Sequence, residues 1–228
     1  MSARAWLLGS SLLLTLGSAA RAQSPGSRLS PTPELEKTAP GGAQVLSRRA
    51  MAAMTKGDLR SAKADFERVL VLVPDNLPTT INLGLIAYRQ KDYKQAEALL
   101  KKVAHAEPEN GLTWLMLGVI YYDQEKLDAA LAALAQAVLH APKDARAHHY
   151  LGVTIGKKGW YSGAEDELRK AIALDPDYGE AHFILAVFYL ERQPPAIELA
   201  RRHYERSLTL GGASDPAVEK RLAEEARE

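Results

Sequence analysis

The sequence predicts an all-α fold, a solenoid of stacked helix pairs, and three observations lead to it. Proline recurs at positions 74, 108, 142 and 176, a constant interval of 34. Alanine at 62, 96, 130 and 164 keeps the same interval, as does Leu-Gly at 83/84, 117/118 and 151/152. Three independent markers with one period define an internal repeat. Within a period the apolar residues fall at helical spacing. Trp114, Leu117, Gly118 and Tyr121 follow i, i+3, i+4, i+7, and Ala130, Leu134 and Ala137 follow i, i+4, i+7. One helix pair cannot bury its own apolar face, so neighbouring pairs must stack.

Composition narrows the function classes. Hydrophobic residues make up 46% of the 228, enough for a sizeable core. There is no Cys, which excludes a disulfide scaffold, a thiolate metal site and a cysteine nucleophile. A net charge of +1 offers no bulk attraction for nucleic acid or an anionic membrane.

The elements follow in order. Residues 1–22 read as a secretory signal peptide. Arg4 precedes an uncharged stretch, Ala5 to Ala20, carrying Trp6-Leu7-Leu8 and Leu12-Leu13-Leu14, and Ala20-Arg21-Ala22 supplies the cleavage pattern before Gln23. The alternative is an uncleaved anchor, but Gly9, Ser10, Ser11 and Gly17 dilute a stretch already shorter than the ~20 apolar residues of a spanning helix. Residues 23–42 hold Pro25, Pro31, Pro33 and Pro40 with Gly26, Gly41 and Gly42 and almost nothing apolar, which reads as a disordered linker. Five repeats follow, at 43–76, 77–110, 111–144, 145–178 and 179–212. Gly118 stands where the two helices of its unit cross and admits a close backbone approach. The first copy decays, with Arg49 and Ala50 in place of Leu-Gly. In the fifth copy the alanine marker falls at Ala200, two positions later than the interval from Ala164 requires, so the turn around Pro194-Pro195 is lengthened by that amount. A capping helix over 214–228 begins at Ser214 or Asp215, has Pro216 at its first position, and turns Val218 and Leu222 inward.

These markers resemble the tetratricopeptide repeat (TPR) family. The copy at 111–144 carries its set most fully, with Trp114, Leu117, Gly118, Tyr121, Ala130, Leu134, Ala137 and Pro142. The resemblance covers nearly all of 43–212. It implies a right-handed TPR solenoid of about five helix–turn–helix repeats, ended by the capping helix, with first helices lining a concave groove.

Carried over by position, the resemblance names the groove residues. The first copy offers Gln44, Ser47, Met51, Met54 and Thr55, and the second Pro78, Ile81, Leu85, Tyr88 and Arg89. The third offers Leu112, Leu115, Val119, Tyr122 and Asp123, and the fourth Arg146, His149, Val153, Gly156 and Lys157. The fifth offers Glu180, Phe183, Val187, Leu190 and Glu191. Met51, Met54, Ile81, Leu85, Tyr88, Leu115, Val119, Tyr122, Val153, Phe183, Val187 and Leu190 would form an apolar stripe, with Arg89, Asp123, Arg146, Lys157 and Glu191 along its rim. A contiguous exposed apolar patch marks a binding site. The expected occupant is an apolar or amphipathic peptide segment of another protein. Two alternatives stay open: a tightly wound stack buries the stripe, or the chain's own N-terminal segment or closing helix fills it. The family's clamp for a C-terminal carboxylate needs Lys and Asn on successive first helices. Ser47, Met51, Leu112 and Met116 stand at those places and only Asn82 matches, so that mode is excluded.

No catalytic residue, metal site or cofactor is predicted. The chain lacks G-x-S-x-G, a Walker loop, G-x-G-x-x-G and H-E-x-x-H. His148 and His182 occupy one place in adjacent repeats, but helix axes about 9–10 Å apart make a long span for one ion without a third ligand to organise it. The expected function is thus a non-catalytic protein-binding module, adaptor or assembly scaffold. It is exported, with the periplasm or cell envelope first and the extracellular space second. The rivals are a self-assembling homo-oligomeric scaffold and, less favoured, a metal-dependent protein. No nucleic-acid partner is expected, and membrane contact only through an uncleaved N-terminus.

Overall fold

The computed structural model describes residues 41–224. The segments expected to be a signal peptide and, up to residue 40, a linker lie outside them, as do residues 225–228. The described residues form eleven α-helices and no strand: α1 (Gly41–Thr55), α2 (Leu59–Leu72), α3 (Leu77–Arg89), α4 (Tyr93–Ala106), α5 (Gly111–Asp123), α6 (Leu127–His140), α7 (Ala145–Lys157), α8 (Tyr161–Leu174), α9 (Gly179–Glu191), α10 (Ile197–Thr209) and α11 (Pro216–Glu224). The first helix takes in Gly41 and Gly42, two residues read from sequence as linker. None of these helices is long and apolar enough to cross a membrane.

The helices fall into two compact units, residues 41–108 and 109–224. In the first, α1 pairs with α2, α3 with α4, and α2 rests on α3. In the second, α5–α6, α7–α8 and α9–α10 are hairpins, linked by α6 on α7 and α8 on α9, and α11 packs on α10. The all-α helical-repeat fold expected from the period is the one observed.

Local chemistry sets the helix ends. Asp58 and Asp92 each cap a second helix by accepting from the backbone N–H three residues on, at 3.0 Å. Asn76 and Asn110 do the same for first helices at 2.9 and 3.0 Å. Each bond satisfies a backbone donor that the helix leaves without a partner. Within the hairpins the turn residue is left-handed at Gly57, Lys91, Glu125 and Gly159, with φ of 77°, 61°, 59° and 87°. These positions again keep the interval of the repeat. Glycine adopts this conformation freely, whereas a side chain costs about 1 kcal/mol there. Lys91→Gly is therefore expected to raise stability by ~0.5–1 kcal/mol, read as a higher urea midpoint with unchanged slope.

Within each unit the core lies between the helices of a pair and continues into the neighbouring pair. A Cβ on Gly118 would stand 2.5 Å from Leu134 Cγ, so the close approach predicted at this glycine is present. The fifth hairpin departs as expected: five residues separate α9 from α10, where three separate the helices of the other pairs. Asp215 caps α11, accepting from Ala217 N–H at 2.8 Å and Val218 N–H at 3.2 Å, and Val218 and Leu222 are buried. Arg49, which displaces the repeat's leucine in the first copy, forks onto the buried carboxylate of Asp65. That bond holds the Asp65 carboxyl below the usual carboxylate range, so an ion pair stands in for an apolar contact.

Candidate functional site

In each unit the candidate site is the face formed by the first helices of its own hairpins. In the unit of residues 41–108, Met54 and Ile81 are buried. Met51 and Leu85 are half-buried and pack at the margin of a cluster built from Ala50, Met54, Ala62, Phe66, Leu83 and Ile86. Tyr88 is half-buried beside Tyr93, ring centroids 6.0 Å apart, and Arg89 is half-exposed in the last turn of α3.

In the unit of residues 109–224, Leu115, Val119, Tyr122, Val153, Val187 and Leu190 are all buried, and Phe183 is half-buried with its ring 6.3 Å from that of Tyr204. Here α5 lies directly against α7, and α7 against α9. This contact accounts for part of the burial, because first helices that touch share the side chains between them. The stripe is more enclosed than expected: eight of its twelve residues are buried, and Met51, Leu85, Tyr88 and Phe183 are half-buried.

Three of the five rim charges are committed to ion pairs within the chain. Lys157 Nζ lies 3.4 Å from Glu125 Oε1 and 4.9 Å from the centre of the Tyr122 ring. Arg146 forks onto Asp144, Nε to Oδ1 at 3.0 Å and Nη2 to Oδ2 at 2.6 Å. Glu191 accepts from Arg221 of α11 at 2.6 Å, and the same guanidinium donates to the carbonyl of Leu190. That cation satisfies the carboxyl end of α9, where the helix dipole favours positive charge. Asp123 is half-buried at the end of α5.

The face also contains polar residues that the apolar stripe hid. His149 is fully buried, and neither ring nitrogen has a hydrogen-bond partner. Its ring lies 4.7 Å from Tyr178 at 32° and edge-on to Tyr150 at 5.4 Å. Burial pushes the imidazole down to about 3, so it is neutral at physiological pH. Burial first, and then Asp123 and Glu125, push the Tyr122 phenol up to about 12. Glu180 is raised by burial, and the Tyr150 and Tyr178 phenols are raised by burial first.

Three further histidines, His148, His182 and His203, act as hairpin bonds. His148 and His182 do not meet, and each is tied inside its own hairpin, to Glu167 and to His203 respectively. Among the described residues no group of three or more His, Asp or Glu side chains is placed to hold a metal ion.

Models of the tetratricopeptide repeat match residues 87–151 and, in a second version, residues 47–111 and 156–216. The chain belongs to the tetratricopeptide repeat family. No curated protein matches the sequence. Among solved structures, pilF of Pseudomonas aeruginosa is similar with a TM-score of 0.74 at 17% identity, over 82% of this chain and 85% of that one. MamA of Desulfovibrio magneticus RS-1 is similar with a TM-score of 0.65 at 19% identity, over 75% and 96%. A thermophilic TPR protein of Thermus thermophilus gives 0.62 at 22%, over 80% and 97%. At these identities the likeness establishes the fold. TPR proteins are generally non-catalytic interaction modules, and the TPR fold supports a protein-interaction or scaffold role here.

Proposed function

We propose that this TPR protein is a non-catalytic adaptor or assembly scaffold that takes an apolar or amphipathic segment of another protein on the face of its first helices. The observation that carries the reading is the set of apolar residues left half-buried on that face, Met51, Leu85 and Tyr88 in one unit and Phe183 in the other. Groups of this kind release bound water to a partner at little cost to the fold. Burying a Leu or Phe fully contributes about 1.5–3 kcal/mol before ordering costs. The protein works after export, in the periplasm or cell envelope, as the charge and apolar order of residues 1–22 suggests. Neither nucleic acid nor a catalytic cofactor enters this reading.

Charge placed at the half-buried positions tests it. Val119 is unsuitable, since at 3% exposure a carboxylate there would disrupt packing. Leu85→Glu and Phe183→Glu are expected to keep parental helicity by circular dichroism and to lose a partner that the parent retains from envelope extract. Equal capture by parent and variants would move the binding surface off the first helices.

A second reading, self-assembly, has an observation of its own. Val45, Val71 and Leu72 are 58%, 80% and 47% exposed, and Leu72 Cδ1 lies 3.7 Å from where a Cβ on Gly42 would stand. These side chains give the first hairpin an apolar outer edge. Sedimentation at micromolar concentration separates the readings: a dimer lost in Val71→Lys favours assembly, and a monomer favours the adaptor.

A further inference from the structure

One position of the second helices carries the bond to the first helix in several hairpins. Asp65, Leu99, Ala133 and Glu167 stand there at the interval of the repeat, and His203 follows two positions late because of the longer turn. In the fourth hairpin His148 Nδ1 lies 2.6 Å from Glu167 Oε2, and its Nε2 lies 3.1 Å from the carbonyl oxygen of Pro142. In the fifth, His182 takes the place of His148. Its Nε2 lies 3.2 Å from the carbonyl oxygen of Pro176, and its Nδ1 lies 2.9 Å from Nδ1 of His203. The two hairpins differ at this bond in one group, a carboxylate against an imidazole.

The Nδ1 atoms of His182 and His203 are 2.9 Å apart, while their ring centroids are 5.1 Å apart. The excess is about one ring width, so the nitrogens face each other along the line between the rings. This is the geometry of an N–H···N hydrogen bond. An ion bound to both lone pairs would need them to converge off that line. The Pro176 carbonyl can only accept, so His182 donates from Nε2 and presents a lone pair at Nδ1. His203 therefore donates from Nδ1. His148, by contrast, faces acceptors with both nitrogens.

The groups around the pair are mostly cationic. Arg206 and Asp177 act on His182, and Arg202 and Arg169 on His203. Asp177, from the turn before α9, is itself bound by Arg206 of α10. Arg169 of α8 donates to the Tyr189 hydroxyl, and the Tyr189 ring lies 5.6 Å from that of His203. One further proton adds a cation beside three guanidiniums. A second sets one N–H against another.

We propose that the α9–α10 hairpin is an acid-released latch, held by the His182–His203 hydrogen bond, which protonation of both imidazoles breaks. Release frees α10 together with α11, which packs on it. Burial acts in the same direction, lowering both imidazoles and bringing His203 down to about 4. Groups whose folded values lie below the unfolded one stabilise the hairpin above pH ~6.5, and that stability is lost as pH falls from there towards the folded values.

Hydrogen exchange of the full chain carrying His149→Leu, which removes the acid sensitivity of that buried imidazole on α7 and serves as the parent here, is compared at about pH 7.5 and about pH 4.5 after correction for intrinsic rates. Protection in α9 and α10 is expected to fall about tenfold or more at the lower pH, while α1 to α4 hold theirs. His203→Glu rebuilds the pairing of the fourth hairpin and is expected to keep α9 and α10 protected at pH 4.5. Glu167→His is expected to transfer the loss to α7 and α8. Unchanged protection of α9–α10 in the parent overturns the proposal, as does the same loss in parent and His203→Glu. Should His203→Glu fail to fold at neutral pH, Glu167→His decides: a fourth hairpin that keeps its protection in acid overturns the latch.

Discussion

Replacing Phe188 by alanine is expected to cost the 109–224 unit about 3–5 kcal/mol, the range for emptying a fully buried aromatic site. Phe188 has no exposed surface, and its ring lies 5.5 Å from that of Tyr161. Space for it comes from the preceding repeat, where a Cβ on Gly156 would stand 2.1 Å from Phe188 Cζ. The equivalent residues elsewhere are Met54, Tyr88, Tyr122 and Leu190, so Gly156 is the small partner of one large ring. Gly156→Ala is expected to destabilise by ~1–3 kcal/mol through overpacking, against a helix-propensity gain of under ~1 kcal/mol. In a Phe188→Leu background the same change is expected to be much milder. Urea denaturation of the four proteins measures the coupling, and strictly additive losses would show that the two residues do not share this space.

The second large effect concerns His149. Its two ring nitrogens are buried without partners, an arrangement that costs about 1–3 kcal/mol for each unsatisfied polar group. His149→Leu is therefore expected to raise stability at pH 7 by about 1 kcal/mol, where most buried substitutions lower it. The pH dependence has a definite sign. With the folded imidazole at about 3, the unfolded chain binds the proton first, so parental stability falls as pH drops from ~6.5 towards the folded value. The loss amounts to a few kcal/mol, at about 1.4 kcal/mol for each tenfold difference in proton affinity between the folded and unfolded chain. The leucine variant should show a flatter profile over that window. Thermal unfolding of both proteins at pH 7 and about pH 4 measures it. A variant less stable than the parent at pH 7, with the same acid loss, would mean that His149 has a partner after all.

Much of the architecture was legible in the residues. A period carried by Pro, Ala and Leu-Gly shows where helices pair, because each marker answers a local demand: proline ends a helix, alanine and glycine admit a neighbour. The approach at Gly118 and the longer turn before α10 follow from that reading, and so does the family. The candidate face was legible in part. The repeat identifies which side of a first helix carries Val119 or Val153 but not how near the next first helix comes, and that distance separates an open stripe from a buried one. The partners of the rim charges were not legible for a related reason. Arg146, Lys157 and Glu191 find their counter-charges in Asp144, Glu125 and Arg221, and the last two of these partners are remote along the chain, nearly a full repeat away.

The sequence alone determines the helix pairs, their order and the family, since those depend on spacing and residue type within one unit. Tertiary structure decided the contacts between helices: that Gly156 makes room for Phe188, that His149 is sealed without a partner, and that His148 meets a carboxylate where His182 meets an imidazole. Such contacts depend on packing between helices that the period of the repeat specifies only in register, and register sets neither depth nor partner.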